Sequence, residues 1–164
     1  MAFDTFLSIE GLPGECLDKN HKNWIELFSF SHSVNQVADS SASAAGVRTG
    51  GKCDHGDFHL TKKLDKCSPF LLNKCCTGKH YPKATVEVCR NTGEKEVLYK
   101  IEFDHVVVSG VSCGGGQGQS DPMESVSFSY SKIKWNYFPI DPGTGKKAGG
   151  TASAWWDIQQ NAGG

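Results

Sequence analysis

The stretch from Ser68 to Gly78 constrains this chain most, because a helix start and a helix stop are both written in its residue types. Ser68 is placed to accept a hydrogen bond from the first free amides, Pro69 fits a first-turn position where its missing N–H costs nothing, and Gly78 suits a left-handed stop. Between them Leu71, Leu72, Cys75 and Cys76 fall three or four apart, which gives about two turns with an apolar stripe. A helix that short needs something to lie on. The rest of the chain reads as strands, so the expectation is an all-β fold, a mainly antiparallel β-barrel of two packed sheets, with one short flanking α-helix.

The strands follow from alternation. Phe3, Thr5, Leu7 and Ile9 alternate with polar neighbours, apart from Phe6 on the other face, and predict a strand over Phe3 to Ile9. Trp24 to Val34 reads as one strand, with Trp24, Phe28, Phe30 and His32 on one face and Ile25, Leu27, Ser29 and Ser31 on the other. Lys52 to Lys63 reads as the strand leading into the helix. Ala84 to Arg90 and Val97 to Val108 form a hairpin about Asn91-Thr92-Gly93. Glu124 to Phe138 changes parity between Tyr130 and Ile133, which a bulge near Ser131 reconciles, and a last strand lies around Trp155 to Ile158. Flexible loops are expected near 38–51, 110–122 and 141–151, where serine, alanine, glycine or turn residues replace the apolar period.

A length of 164 residues suits a single domain, 1–164, and no break in composition divides it. The 17 basic and 18 acidic residues are interspersed, so no basic face is dense enough to bind nucleic acid. Nothing approaches an apolar membrane span, and Met1-Ala2-Phe3-Asp4-Thr5 lacks the basic region and apolar run of a signal peptide, so the chain is expected to begin in the cytoplasm. Seven cysteines are an odd number in a chain expected in a reducing compartment, and reduced, structurally passive thiols follow.

Several motifs invite chemistry and decline it. Gly110-Val111-Ser112-Cys113-Gly114 has the spacing of a nucleophile elbow, but three further glycines follow and every histidine lies upstream of it, so it reads as a flexible turn. Cys76 and His80 can be drawn as a reactive pair, yet a helix C-terminus disfavours a thiolate. Gly145-Lys146-Lys147 lacks the serine or threonine of a phosphate loop. Cys53, His55, Asp57 and His59 stand two apart on one strand face and form the most interesting ligand-type cluster. Neighbours on a strand are about 6 to 7 Å apart, however, so a metal takes at most two of them. A solvated polar face is the simpler reading, and a monomeric metal-dependent or thiol enzyme built on those four residues is the alternative.

Taken in order, the motifs resemble the haemolysin-coregulated protein (Hcp) family, the inner-tube subunit of bacterial type VI secretion systems. The series begins with Asp4-Thr5-Phe6-Leu7-Ser8-Ile9-Glu10-Gly11 and continues through Gly14-Glu15, Asp18, His21 and Leu27-Phe28-Ser29-Phe30-Ser31. Its middle is the most specific part: Phe58-His59-Leu60-Thr61-Lys62, Asp65, Ser68-Pro69, Leu72 and Gly78-Lys79-His80-Tyr81. Tyr99, Ile101, Asp104-His105-Val106, Glu124-Ser125-Val126, Tyr130-Ser131-Lys132-Ile133 and Trp156-Asp157-Ile158 complete it. The resemblance implies a ring of six subunits stacking into a hollow tube inside a contractile sheath, under a spike of the valine-glycine-repeat family. It implies export from the bacterial cytoplasm to the extracellular space or a target cell, with small effectors held in the lumen. It calls for no catalytic residue, cofactor or metal. If the aromatic face of Trp24 to Val34 enters the core, Ser31 and to a lesser degree Ser29 face the lumen. Ser41, Ser43, Val47 and Arg48, in the loop near 38–51, are expected to reach the next ring.

Overall fold

Three segments whose alternation reads as long single strands are each bent partway, and the bends carry the chain between two sheets. The computed structural model describes residues 2–38 and 50–164. Its elements are β1 (Phe3–Ile9), β2 (Ile25–Leu27), β3 (Ser29–Ser31), β4 (Val34–Ala38), β5 (Gly50–His55), β6 (Phe58–Lys63), α1 (Ser68–Thr77), β7 (Tyr81–Thr92), β8 (Glu94–Gly114), β9 (Met123–Ser129), β10 (Lys132–Tyr137), β11 (Ala152–Asp157) and β12 (Ala162–Gly163). The pairing is antiparallel throughout. One sheet runs β12-β11-β10-β8-β7-β1-β2, and the second is formed by β3, β6, β9 and the C-terminal half of β8. The β4–β5 hairpin is a separate two-stranded sheet. Among the described residues the fold is thus mainly antiparallel β with one helix, as the alternation implies.

The bends correct three expectations. Trp24 to Val34 is not one strand: β2 pairs with β1, β3 pairs with β6, and Phe28 stands between them. Parity therefore flips there. Ile25 and Leu27 are buried, Phe30 packs against the core, and Phe28, expected inside, is 77% exposed. The expected barrel is not closed at this corner, where Phe28 N–H to Thr61 O (2.8 Å) links the sheets without a β2–β6 ladder. Glu124 to Phe138 is likewise two strands, and the parity change at Tyr130-Ser131 is a passage between sheets rather than a bulge in one strand. The 21-residue β8 makes the same passage without a break. It pairs with β7 and β10 up to Val106 and with β9 from Val107, and His105 at the bend has φ 52. Strands that switch sheets in this way form the corners of a packed pair.

The glycine-rich expectation near 110–122 fails in part as well. Gly110 to Gly114 is strand, paired with Met123 to Ser127, so the loop near 110–122 begins only after Gly114. A side chain at Gly110 would crowd Ser127, which explains glycine within a ladder. The loop near 38–51 is similarly shorter than expected, since Gly50 and Gly51 belong to β5; residues 39–49 lie outside the described residues. Near 141–151 the chain makes a turn in which Gly143 N–H donates to Asp141 Oδ1 (2.7 Å).

Between the sheets Leu7, Ile9, Ile25, Val86, Ile101, Phe103 and Ile133 meet Phe58, Leu60, Val126 and Phe128. Phe58 stacks on Phe128 (5.1 Å between centroids) and meets Phe103 edge-on (5.2 Å). Phe6, on the other face of β1, joins Cys16 and Cys89 in a small second cluster.

The helix docks on β8 through Leu71 and half-buried Cys75, while Leu72 and Cys76 are exposed, so only half of the expected stripe packs. Gly78 ends it at φ 66, donating to Lys74 O. Its start is not capped as expected. The cap position is Cys67, whose N–H donates to Asp65 Oδ1 (2.9 Å), and Ser68 is drawn into a buried polar knot. There Lys62 Nζ lies 2.7 Å from Glu124 Oε2 and 2.8 Å from Asp65 Oδ1. Ser68 Oγ donates to Glu124 Oε2 (2.6 Å) and accepts from Asp65 N–H (3.1 Å). The knot ties β6, β9 and the helix start together, and burial makes each of its bonds costly to remove.

Candidate functional site

On β3, β6 and β9 most of the residues that do not enter the core are small and hydroxylic, with His59 among them. Register sets them in rows across four strands. Ser29, Thr61, Ser125 and Ser112 make one row, and Ser31, His59, Ser127 and Gly110 the next. The residues between these rows, Phe30, Leu60, Val126 and Val111, pack inward on the core. A period of two on four paired strands therefore yields one apolar face and one polar face. The polar face is a shallow concavity of about 490 Å³ whose lining contains no Asp, Glu, Lys or Arg.

Ser29 and Ser31 are both exposed on this face. Ser29 Oγ meets Thr61 Oγ1 at 2.5 Å, and at the rim Ser109 Oγ donates to Asp57 Oδ2 (2.6 Å) and lies 3.0 Å from Ser127 Oγ. Such a surface offers donors and acceptors without fixed charge, which suits weak contacts bridged by water. The sequence alone assigns Thr61, Ser112, Ser125 and Ser127 no place on this face. Ser125-Val126-Ser127-Phe128-Ser129 carries the signal, but it becomes meaningful only once Gly110 to Gly114 is known to be its partner strand.

The Cys53, His55, Asp57 and His59 cluster does not assemble. β5 ends at His55, β6 begins at Phe58, and the break redirects the side chains. His55 Nδ1 turns to Tyr130 OH (3.1 Å), Asp57 takes the Ser109 hydroxyl, and His59 stands exposed among the serines. Tyr130 OH also meets His32 Nε2 at 2.5 Å, so two histidines from either side of the β4–β5 hairpin share one phenol. Burial holds both imidazoles below their ordinary range; the proximity of His55 adds to this at His32, and Asp54 opposes it at His55. Ser41, Ser43, Val47 and Arg48 lie outside the described residues.

The family described as "Type VI secretion system effector, Hcp" matches residues 6–137. The chain belongs to the Hcp family of type VI secretion proteins. It is similar to "Protein hcp1" of Pseudomonas aeruginosa, 35% identical over 162 residues covering 98% of each chain. It is also similar to that organism's "Major exported protein", 25% identical over 136 residues, 78% of this chain and 77% of the relative. Among solved structures, one described as a type six secretion system protein superposes with a TM-score of 0.93 at 30% identity, over 99% of this chain and all of the other. Hcp1 from Salmonella typhimurium superposes with a TM-score of 0.80 at 30% identity, over 99% of both chains. The two-sheet core described above is therefore an Hcp-family fold.

Proposed function

We propose that this chain is the inner-tube subunit of a type VI secretion system. In this reading six copies close a ring through one heterologous interface, and a second, open interface on the ring faces stacks rings into a tube. The tube lies within a contractile sheath under a valine-glycine-repeat spike and leaves the bacterial cytoplasm when the sheath contracts, for the extracellular space or a target cell. It carries small effector proteins in its lumen and requires no catalytic group.

The observation that supports this most is the hydroxyl face of the β3-β6-β9-β8 sheet, exposed among the described residues and lined by no Asp, Glu, Lys or Arg. A channel that must hold varied cargo and then release it needs a wide wall with weak contacts, and short hydroxyl side chains meet both needs. We assign Ser31, and to a lesser degree Ser29, to that wall. Stacking is assigned to Ser41, Ser43, Val47 and Arg48, on the segment that joins β4 to β5.

Ser31→Arg tests the assignment. An exposed position tolerates the change within about 0.5 kcal/mol, so rings should persist in light scattering and negative-stain images while effector co-purification falls. Rings that carry cargo normally would place the cargo wall elsewhere, and a monomeric wild type across micromolar concentrations would overturn the ring itself.

A further inference from the structure

Beside the main core, a buried histidine sits between two carboxylates. The loop between β1 and β2 folds back through Asn23 N–H to Cys16 O (2.9 Å) and Trp24 N–H to His21 O (3.0 Å), which delivers His21 onto the outer face of β1. Its ring stacks on Phe6 at 4.1 Å with an interplanar angle of 9°, and Trp24 meets it edge-on at 4.9 Å. Nδ1 lies 2.9 Å from Asp18 Oδ1 and Nε2 lies 2.8 Å from Glu87 Oε2. Nδ1 and Nε2 thus each face a carboxylate oxygen, the arrangement of a histidine that binds an ion on one side and is oriented from the other.

Cys89 supplies the third donor. Glu87 and Cys89 are two apart on β7, and Cys89 Sγ lies 3.8 Å from His21 Nε2. Among the described residues these are the three metal-ligating side chains that converge, with all ligand atoms within 4.8 Å of one another. A tetrahedral ion with bonds near 2.0–2.3 Å sets its ligands roughly 3.3–3.7 Å apart, so the 3.8 Å between Nε2 and Sγ is close to that spacing and the Nε2 to Oε2 gap needs to open by roughly 0.5 Å. Asp18 on Nδ1 occupies the place of the carboxylate that orients a metal-bound histidine.

We propose that His21 Nε2, Glu87 and Cys89 bind one divalent, borderline-soft ion of the zinc class, with Asp18 holding the imidazole. Asp4, Asp18, Glu87 and Glu102 face Lys95 and Lys100, which leaves an excess of two negative charges around the cluster, a field that favours a divalent cation. On binding, the thiol S–H bond breaks, S–Zn, N–Zn and O–Zn bonds form, and the thiol proton leaves to buffer. Burial pushes the free Cys89 thiol up to about 12, so in this site deprotonation is coupled to the ion's arrival. Glu87, about 15% exposed, is the side from which the ion enters. Once bound, it pins the loop carrying Cys16, Asp18 and His21 to β7.

Titration of the chelator-treated full chain with ZnCl₂ by calorimetry, in two buffers of different ionisation enthalpy, should give one ion per chain and release of at least one proton. Cys89→Ser and Glu87→Gln should each weaken binding at least about 10-fold, and Cys89→Ser should lower the release by one proton. With CoCl₂, a thiolate-to-metal charge-transfer band should appear in the wild type and in Cys113→Ser but not in Cys89→Ser. Sub-stoichiometric uptake, affinity unchanged in Glu87→Gln, or a band that survives Cys89→Ser would each overturn the site. Should Cys89→Ser not fold, Glu87→Gln and the wild-type proton count decide by the same criteria.

Discussion

Lys62→Met should be among the most damaging single changes on the sheet that carries the hydroxyl face, and its partner mutation should repair much of the damage. Lys62 is 1% exposed and the Glu124 side chain 0%, so their 2.7 Å pair lies wholly out of water, with one oxygen, Glu124 Oε1, accepting no hydrogen bond. Removing the ammonium leaves Glu124 with the Ser68 hydroxyl alone and also strips the main charge partner of Asp65. Breaking a buried pair from one side costs about 3–5 kcal/mol. With a urea m-value of about 2 kcal/mol/M, the midpoint should fall by about 1.5–2.5 M, measured by fluorescence at one fixed protein concentration, since assembly adds to apparent stability. Glu124→Gln should cost less, because Lys62 keeps Asp65 at 2.8 Å. The double variant Lys62→Met/Glu124→Leu removes both charges and should recover most of the loss. A Lys62→Met shift under about 0.25 M, equal to about 0.5 kcal/mol at that m-value, or a double variant no better than the single, would refute the view that desolvated charge governs this corner.

Acid should loosen the attachment of the β4–β5 hairpin. His32 and His55 have folded-state affinities for protons below the ordinary value of 6.5, so the unfolded chain protonates first. Stability is then fully present above about 6.5 and declines as pH falls below it. Urea midpoints at pH 7.5 and 5 should show the decline, and His32→Gln with His55→Gln should flatten it; an unchanged slope would deny these two residues the role. Thiol accessibility gives a further check. All seven cysteines are free, with Cys76 and Cys113 exposed and Cys16, Cys67 and Cys89 buried. Burial holds the Cys67 thiol up at about 11, and it donates to Pro13 O (3.1 Å). Brief alkylation of the native protein followed by peptide mass spectrometry should label Cys76 and Cys113 and spare the three buried thiols; rapid labelling of Cys67 or Cys89 would contradict the packing. Leu71→Ala should cost about 2–5 kcal/mol in the same urea assay, because Leu71 is the helix's main buried anchor; a loss below about 1 kcal/mol would mean the helix barely contributes.

Much of this molecule is legible in residue order because the rules involved are local. Phe3 to Ile9 alternates and is β1 to the residue; Pro69 and Gly78 bound the helix; Asn91-Thr92-Gly93 turns the hairpin with Gly93 at φ 100. Ser29 and Ser31 could be placed on an outer face because their neighbour Phe30 is the kind of residue a core requires. What escaped reading shares one physical cause. At Phe28, His105 and Tyr130-Ser131 the chain leaves one sheet for the other, and neither glycine nor proline marks the corner; the bend is set by which strand waits alongside to pair. Parity on the far side of a corner cannot be extrapolated from the near side, so Phe28 was assigned inward and lies outside. Gly110 to Gly114 failed in the opposite sense: its composition is that of a loop, yet β9 supplies the ladder that holds it extended. Ser68 and Lys62 show the same limit at side-chain scale. A serine before a proline is a cap by propensity, but a buried lysine and glutamate across the fold claimed its hydroxyl, because an unpartnered charge in a dry site costs more than an uncapped helix end.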